Sequence, residues 1–375
     1  MKKAMLYELK RILLPLCIFT AIAAALFVII ALNSTFVSEN SYNTFGDPVG
    51  PQPMSPLTEV PAAILGVLCL IVPPMQFLYR MGRRSADLWY SLPIRRDVLA
   101  LVRVLGGLVL IFVPYTVSYW AGFTVIAASE NLFELGQYGI LFAASLPVGI
   151  GLFGINAFLF TRANTLFDGI VFMLVWIFVL ILPFLWLESL GIDILYRLYG
   201  GDINWTAPIN FLSYSPLICL FVDFSLRICG TGGGWAEAPF IYALGAAFAI
   251  AAYFGLFWTA RRQKAEDIGQ VSDSWFGYRT FIPACMLCTV LFIGTDSPFE
   301  LAMAYTIILV TGTIVYFVYR RSFRLKLADL LCIVGALLVG TAINAFGREI
   351  LAPWFDVLRE QLREGAFLAQ VLTLL

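Results

Sequence analysis

Runs of roughly 20 apolar residues divide this chain, and the loops between them alternate: every second loop is rich in Lys and Arg, and the intervening ones are nearly bare of both. Lys2, Lys3, Lys10 and Arg11 come first, followed by Arg80, Arg83, Arg84, Arg95 and Arg96. Arg261, Arg262, Lys264 and Arg279 form the next group, and Arg320, Arg321, Arg324 and Lys326 the last. Basic residues resist translocation, so these groups mark one face, the cytoplasmic one, and place the N-terminus there. Arg162 and a snorkelling Arg103 join that side, which leaves Arg197, Arg227, Arg348, Arg359 and Arg363 outside. A chain of 375 residues that is 61% hydrophobic and only 13% charged has too little polar surface to cover itself in water. Its solvent is lipid.

The spans read as residues 12–32, 62–79, 98–121, 139–160, 166–187, 240–260, 281–294, 301–319 and 327–346. The fold class is therefore all-α, a polytopic transmembrane helix bundle of about nine spans with the N-terminus inside and the C-terminus outside. The run 281–294 is short for a bilayer, yet the loops on both sides of the 281–319 region are basic, so an even number of crossings must separate them. Residues 1–11 place Met5, Leu6 and Leu9 on one helical face, the pattern of a helix lying in the inner interface. The stretch 33–61 is polar, Pro-rich and free of Lys and Arg, as suits an outer loop. The outer segment 188–237 contains a short apolar run, 211–224, interrupted by Pro216 and carrying Asp223, which fits an interfacial or a re-entrant helix. Residues 1–346 thus form the transmembrane domain. In the tail 347–375, Leu351, Trp354, Phe355, Leu358 and Leu362 share one helical side, so the tail either lies on the outer surface or packs on the bundle.

Several function classes fall on composition. The balance of 24 basic against 24 acidic residues gives no reason to expect nucleic acid. Histidine is absent, which removes the commonest general base and metal ligand, and neither a cofactor nor a metal is expected. Cys285 and Cys288 make a C-x-x-C without polar or metal-binding neighbours and read as small core hydrophobes, as do Cys17, Cys69 and Cys332. Cys219 and Cys229 both fall on the outer side, and pairing between them stays open. Gly149-Ile150-Gly151-Leu152-Phe153-Gly154 matches a dinucleotide fingerprint in letters only, because it sits inside a span. Together with Ser145, its small residues instead let a neighbouring helix approach closely. The glycine run 230–234 lacks the Lys-Ser/Thr of a phosphate loop, so the chain is read as no enzyme and without its own ATPase site. Arg103, Asp168 and Asp329 fall near predicted inner ends, and the span centres hold Pro and neutral polar groups: Pro73, Pro74, Gln76, Pro114, Tyr115, Ser118, Tyr119, Asn156 and Pro183 among them. That speaks against an ion-coupled carrier, which keeps mid-bilayer charges where they work.

The inner loop 80–97 carries the most information. In Arg83-Arg84-Ser85-Ala86-Asp87-Leu88-Trp89-Tyr90-Ser91-Leu92-Pro93, Ser85 is placed to cap a short helix and Asp87 favours its N-terminal end. Leu88 and Leu92 then share a face, and Pro93 ends the helix. An apolar ridge on a polar loop meets either lipid headgroups or a soluble partner. This loop resembles the cytoplasmic Ser-Ala-Asp, aromatic, Ser-Leu-Pro loop of bacterial ABC transporter permeases of the type 2 exporter class. Arg261-Arg262-Gln263-Lys264-Ala265-Glu266-Asp267-Ile268-Gly269 and Tyr319-Arg320-Arg321-Ser322-Phe323-Arg324 resemble that group's later basic loops. Two features depart from the group: Trp89-Tyr90 stands where Tyr-His is frequent, and the outer C-terminal region is short.

The resemblance implies a permease subunit in the bacterial cytoplasmic membrane that binds a separate cytoplasmic ABC ATPase subunit. It also implies a homodimer or a pair with a sister permease, and export of an amphipathic substrate. The coupling residues it implies are Ser85, Asp87, Leu88, Trp89, Leu92 and Pro93, with Glu266 and Asp267 as lesser contacts. The alternative is a non-transporting membrane sensor or immunity protein that works through its outer loops.

Overall fold

The computed structural model describes residues 2–35, 37–38, 41–42, 48–49, 52–53, 57–82, 85, 89, 95–129, 135–190, 215–228, 239–262, 269–270, 272, 274–293, 297–320, 323–324, 326–354 and 357. They are overwhelmingly helical, as apolar runs must be where lipid offers the backbone no hydrogen bonds. In order the helices are α1 (Lys2–Leu32), α2 (Glu59–Phe77, tightening into a 3-10 turn at Leu78–Arg80), α3 (Arg96–Ala128), α4 (Leu135–Thr161) and α5 (Leu166–Ser189). Then come α6 (Pro216–Ile228), α7 (Pro239–Arg262), α8 (Tyr278–Leu291), α9 (Pro298–Arg320) and α10 (Leu327–Phe346), which runs on into a π-helical turn, Gly347–Leu351. Eight of these are long and apolar enough to cross a bilayer, and α8 is a shorter apolar helix. Such a set is the pattern of a multi-pass membrane protein.

Residues 2–11, expected as an interfacial helix leading into the first span, are continuous with that span in α1, which runs without a break past Pro15. Within the expected outer loop 33–61, Val37–Ser38 pairs with Gln52–Pro53 and Ser41–Tyr42 with Pro48–Val49, both antiparallel and in one shared register. Of the apolar run 211–224, residues 216–224 lie in α6, which starts at Pro216, whose missing N–H costs nothing in a first turn; residues 211–214 lie outside the described residues.

The chain divides into two compact units: residues 1–173 with 198–272, and residues 174–197 with 273–375. In the first, α1 lies along α3, α2 packs between α3 and α4, and α7 lies along α4. Glycines set these approaches. Gly122 of α3 receives the ring of Phe27, Gly154 of α4 the ring of Tyr253, and Gly255 of α7 the ring of Phe158. The Gly149/Gly151/Gly154 series accordingly touches Leu65 and Phe112, Ala249, and Tyr253, the close-approach role expected of it. Pro73 cannot donate to the carbonyl of Cys69, and Asn156 Nδ2 of α4 takes that acceptor at 3.0 Å. Tyr115 and Ser145 share a hydrogen bond of 2.8 Å, and Tyr119 donates to the Tyr138 carbonyl at 2.6 Å. Asn156, Tyr115 and Tyr119 thus join helices, whereas Ser118 donates to Tyr115 within its own helix.

In the second unit α8 packs on α10 and α9. Gly340 of α10 lies against Val290, Gly312 of α9 against Met286, and Gly347 against Trp186. Asn344 donates to the Ile293 carbonyl at 2.9 Å and accepts from Arg348 Nε at 3.1 Å, with Trp186 Nε1 at 3.4 Å from the same oxygen. Asp329 accepts the Lys326 N–H at 3.1 Å and so closes the start of α10.

Candidate functional site: a buried charge cluster under the loop after α2

Arg103 lies about two turns inside α3 and is fully buried, with 0% of its surface exposed. An isolated guanidinium there would be prohibitively costly, so its surroundings must supply charge or π density. They supply both. Nη1 lies 3.0 Å from both carboxylate oxygens of Glu8, itself 2% exposed. The guanidinium carbon sits 4.7 Å from the centroid of Tyr79 and 4.3 Å from that of Trp89. Arg11 Nη2 donates to Glu8 at 2.7 Å and to Gln76 Oε1 at 3.0 Å. Two guanidinium groups therefore share one carboxylate, and the aromatic faces take part of the remaining positive charge. Arg103 Nε and Nη2 have no hydrogen-bond partner and are left to those rings.

Local sequence explains how the cluster forms. Glu8 and Arg11 stand three residues apart on α1 and so face the same way. Gly106, one turn after Arg103, leaves the space Glu8 occupies: a Cβ there would come within 3.0 Å of Glu8 Cγ. Gln76 projects from the end of α2, where Gly107 makes room for its stem. The loop that follows folds back. Ser85 Oγ lies 2.8 Å from the Tyr79 carbonyl and 2.9 Å from that of Gly82. Four residues on, Trp89 rests against Tyr79 and Tyr7, with centroids 5.9 and 6.0 Å apart.

Of the expected coupling residues, Ser85 and Trp89 are described, both in helical backbone, and only Trp89 joins the cluster. The Ser85 hydroxyl donates back to carbonyls at the end of the preceding turn, and the backbone N–H groups it was expected to cap lie outside the described residues. Asp87, Leu88, Leu92, Pro93, Glu266 and Asp267 lie outside the described residues. Sequence reasoning missed Glu8, Arg11, Gln76 and Tyr79. The signal that would have found Glu8 is Arg103 itself: an arginine inside a span requires a carboxylate, and Glu8 is spaced from Arg11 to share one.

Family models, curated proteins and solved structures were all compared with this chain, and none matches. The site must speak through its chemistry alone. It holds no nucleophile and no histidine, and among the described residues no group of His, Cys, Asp and Glu could hold a metal ion. Its geometry ties Trp89 of the basic loop to Tyr7 of α1, Tyr79 in the turn that ends α2 and Arg103 of α3.

The surrounding end of this unit is basic throughout. Asp97, at the start of α3, pairs with Arg261 at the end of α7 at 3.4 Å and with Arg95 at 3.5 Å. Gly269 donates to the Asn164 carbonyl, and Ser272 Oγ donates to that of Arg162. Basic residues of the N-terminal group, of the loop after α2 and of the end of α7 therefore meet at one end of the first unit. At the other, Thr58 Oγ1 donates to Phe221 of α6 at 3.2 Å.

Proposed function

We propose that this chain is the membrane permease subunit of an ATP-driven exporter, with nine crossings, its basic end in the cytoplasm and its C-terminus outside. The observation that carries the reading is Trp89. It belongs to the loop segment in which the sequence spacing predicts Leu88 and Leu92 on one face for a soluble partner, and its ring closes over Arg103, which Glu8 links to α1. A partner ATPase that moves the segment 85–93 pulls on α1, α2 and α3 together. Such a linkage is what a permease with no phosphate loop of its own needs, and the ninth crossing is α8, a 14-residue helix. A rise of ~1.5 Å per residue leaves it short of a ~30 Å hydrocarbon core, so it requires local thinning or flanking aromatic residues such as Trp275.

The test separates docking from transmission. Replacing Leu88 and Leu92 together by Asp should abolish co-purification of the ATPase encoded beside this chain. The replacement Trp89→Ala should leave binding in place while uncoupling substrate-stimulated ATP hydrolysis. An unchanged ATPase complex in the double-Asp variant would sink the reading, as would export driven by an ion gradient with no ATPase present.

A further inference from the structure

A second pair of arginines lies at the same basic end, apart from the Glu8 cluster, and has no counter-charge among the described residues. Arg80 closes the 3-10 turn after α2 and is 5% exposed, with Nη2 buried and without a hydrogen-bond partner. Arg162 follows the last turn of α4, and its Nε is likewise buried and unpartnered. Among the described residues neither guanidinium has a carboxylate or an acceptor within reach. The backbone holds both in place. The Arg162 carbonyl accepts from Ser272 Oγ at 2.6 Å, and its N–H donates to Leu159. Beside Arg80, Met81 packs its Cε against Gly169 in the first turns of α5, which brings the end of α2 onto the α4–α5 turn that carries Arg162. One face of Arg162 is covered by Phe158, 5.4 Å from the ring centroid. Burial, and then repulsion from Arg80, push the Arg162 guanidinium down to about 10.

Two like charges held together and partly out of water destabilise the fold unless an anion joins them. The Glu8 cluster meets the same cost with a carboxylate from its own chain. Here the described residues supply none. Guanidinium forks match the oxygens of a phosphate, and basic pockets between membrane helices on the cytoplasmic side take acidic headgroups.

We propose that Arg80 and Arg162 form a phosphate-binding site at the basic end of the first unit, filled by the headgroup of an acidic phospholipid or by a free phosphate. The site is independent of the ATPase-coupling reading, since it requires only the two guanidinium groups and the membrane-side setting.

Thermal unfolding of the full chain in a neutral detergent tests it. The probes are dioleoylphosphatidylglycerol against dioleoylphosphatidylcholine, and sodium phosphate against sodium chloride at equal ionic strength. Phosphatidylglycerol should raise Tm by several degrees beyond phosphatidylcholine, and Arg162→Gln should shift the midpoint of that titration about tenfold or abolish it. Lys10→Gln, at an exposed basic residue of the same end, should leave it intact. A response to the lipid alone assigns a headgroup, whereas a response to phosphate assigns the free anion as sufficient. If Arg162→Gln fails to fold, Arg162→Lys is titrated in its place, since it keeps the charge but loses the fork, and its midpoint should still move. Absence of any response to either probe overturns the site, leaving an acidic partner protein as the source of the counter-charge. A midpoint that stays at the wild-type value in the Arg162 variant overturns it equally.

Discussion

The two units of this protein join their helices by different means. The first buries charge: Glu8, Arg11 and Arg103 come from two helices and meet Gln76 and Tyr79 at the end of a third. The second has no comparable ion pair among its described residues and relies on glycine contacts and one amide, Asn344, which gathers Ile293, Trp186 and Arg348. A buried ion pair contributes little net stability over a well-packed apolar pair but is very costly to break on one side. An amide node has a smaller penalty in both directions. The first unit is therefore specified more sharply.

The largest expected effect tests that asymmetry directly. Glu8→Leu leaves Arg103 buried without a carboxylate and should cost ~3–5 kcal/mol, read as lost folded protein after thermal challenge in detergent. Combining it with Arg103→Met should recover most of that loss. A double variant as damaged as the single would show that the cluster acts through more than charge compensation.

Next come the two amides. Asn156→Leu leaves the Cys69 carbonyl at Pro73 without a donor, and Asn344→Leu does the same to Ile293 in the other unit. Each should cost ~1–3 kcal/mol, the usual range for an orphaned buried acceptor. Equal losses would mean that the units differ in charge alone, whereas a larger loss for Asn156 would tie the difference to the proline kink it supports.

The smallest effect belongs to the exposed pair. Arg261 is 67% exposed, so Asp97→Asn should change stability by only ~0–1 kcal/mol and less at high salt. A loss on the scale of the Glu8 variant would mean that the surface pair bears on the bundle as the buried one does. Thermal unfolding at low and high ionic strength distinguishes these outcomes.

Much of the helix layout was legible in the linear chain. The run expected at 327–346 is α10 to the residue, and most other spans fall within a few residues of their helices. Even the short run at 281–294, retained on a charge argument, is the helix α8. That residues 2–11 run on into the first span as one helix was not legible, because a helix with apolar residues on one face looks the same whether it ends there or continues. Nor was the backward bonding of Ser85 legible, because a hydroxyl can donate to the preceding turn as readily as it can accept from the following one.

Hydropathy and charge add up along the chain, and so the sequence by itself determined where apolar helices form and which loops carry the basic residues. Pairing is not additive in that way. Glu8 and Arg103 stand 95 residues apart, and nothing local to either names the other. Only the packing of α1 along α3, with Gly106 leaving the gap, decided that this carboxylate would meet that guanidinium and that Trp89 would close over it. The same packing brought the end of α2 onto the turn after α4 and left Arg80 and Arg162 with no carboxylate among the described residues. A buried charge takes its partner from whatever the fold brings within a few ångströms, and that distance exists only in three dimensions.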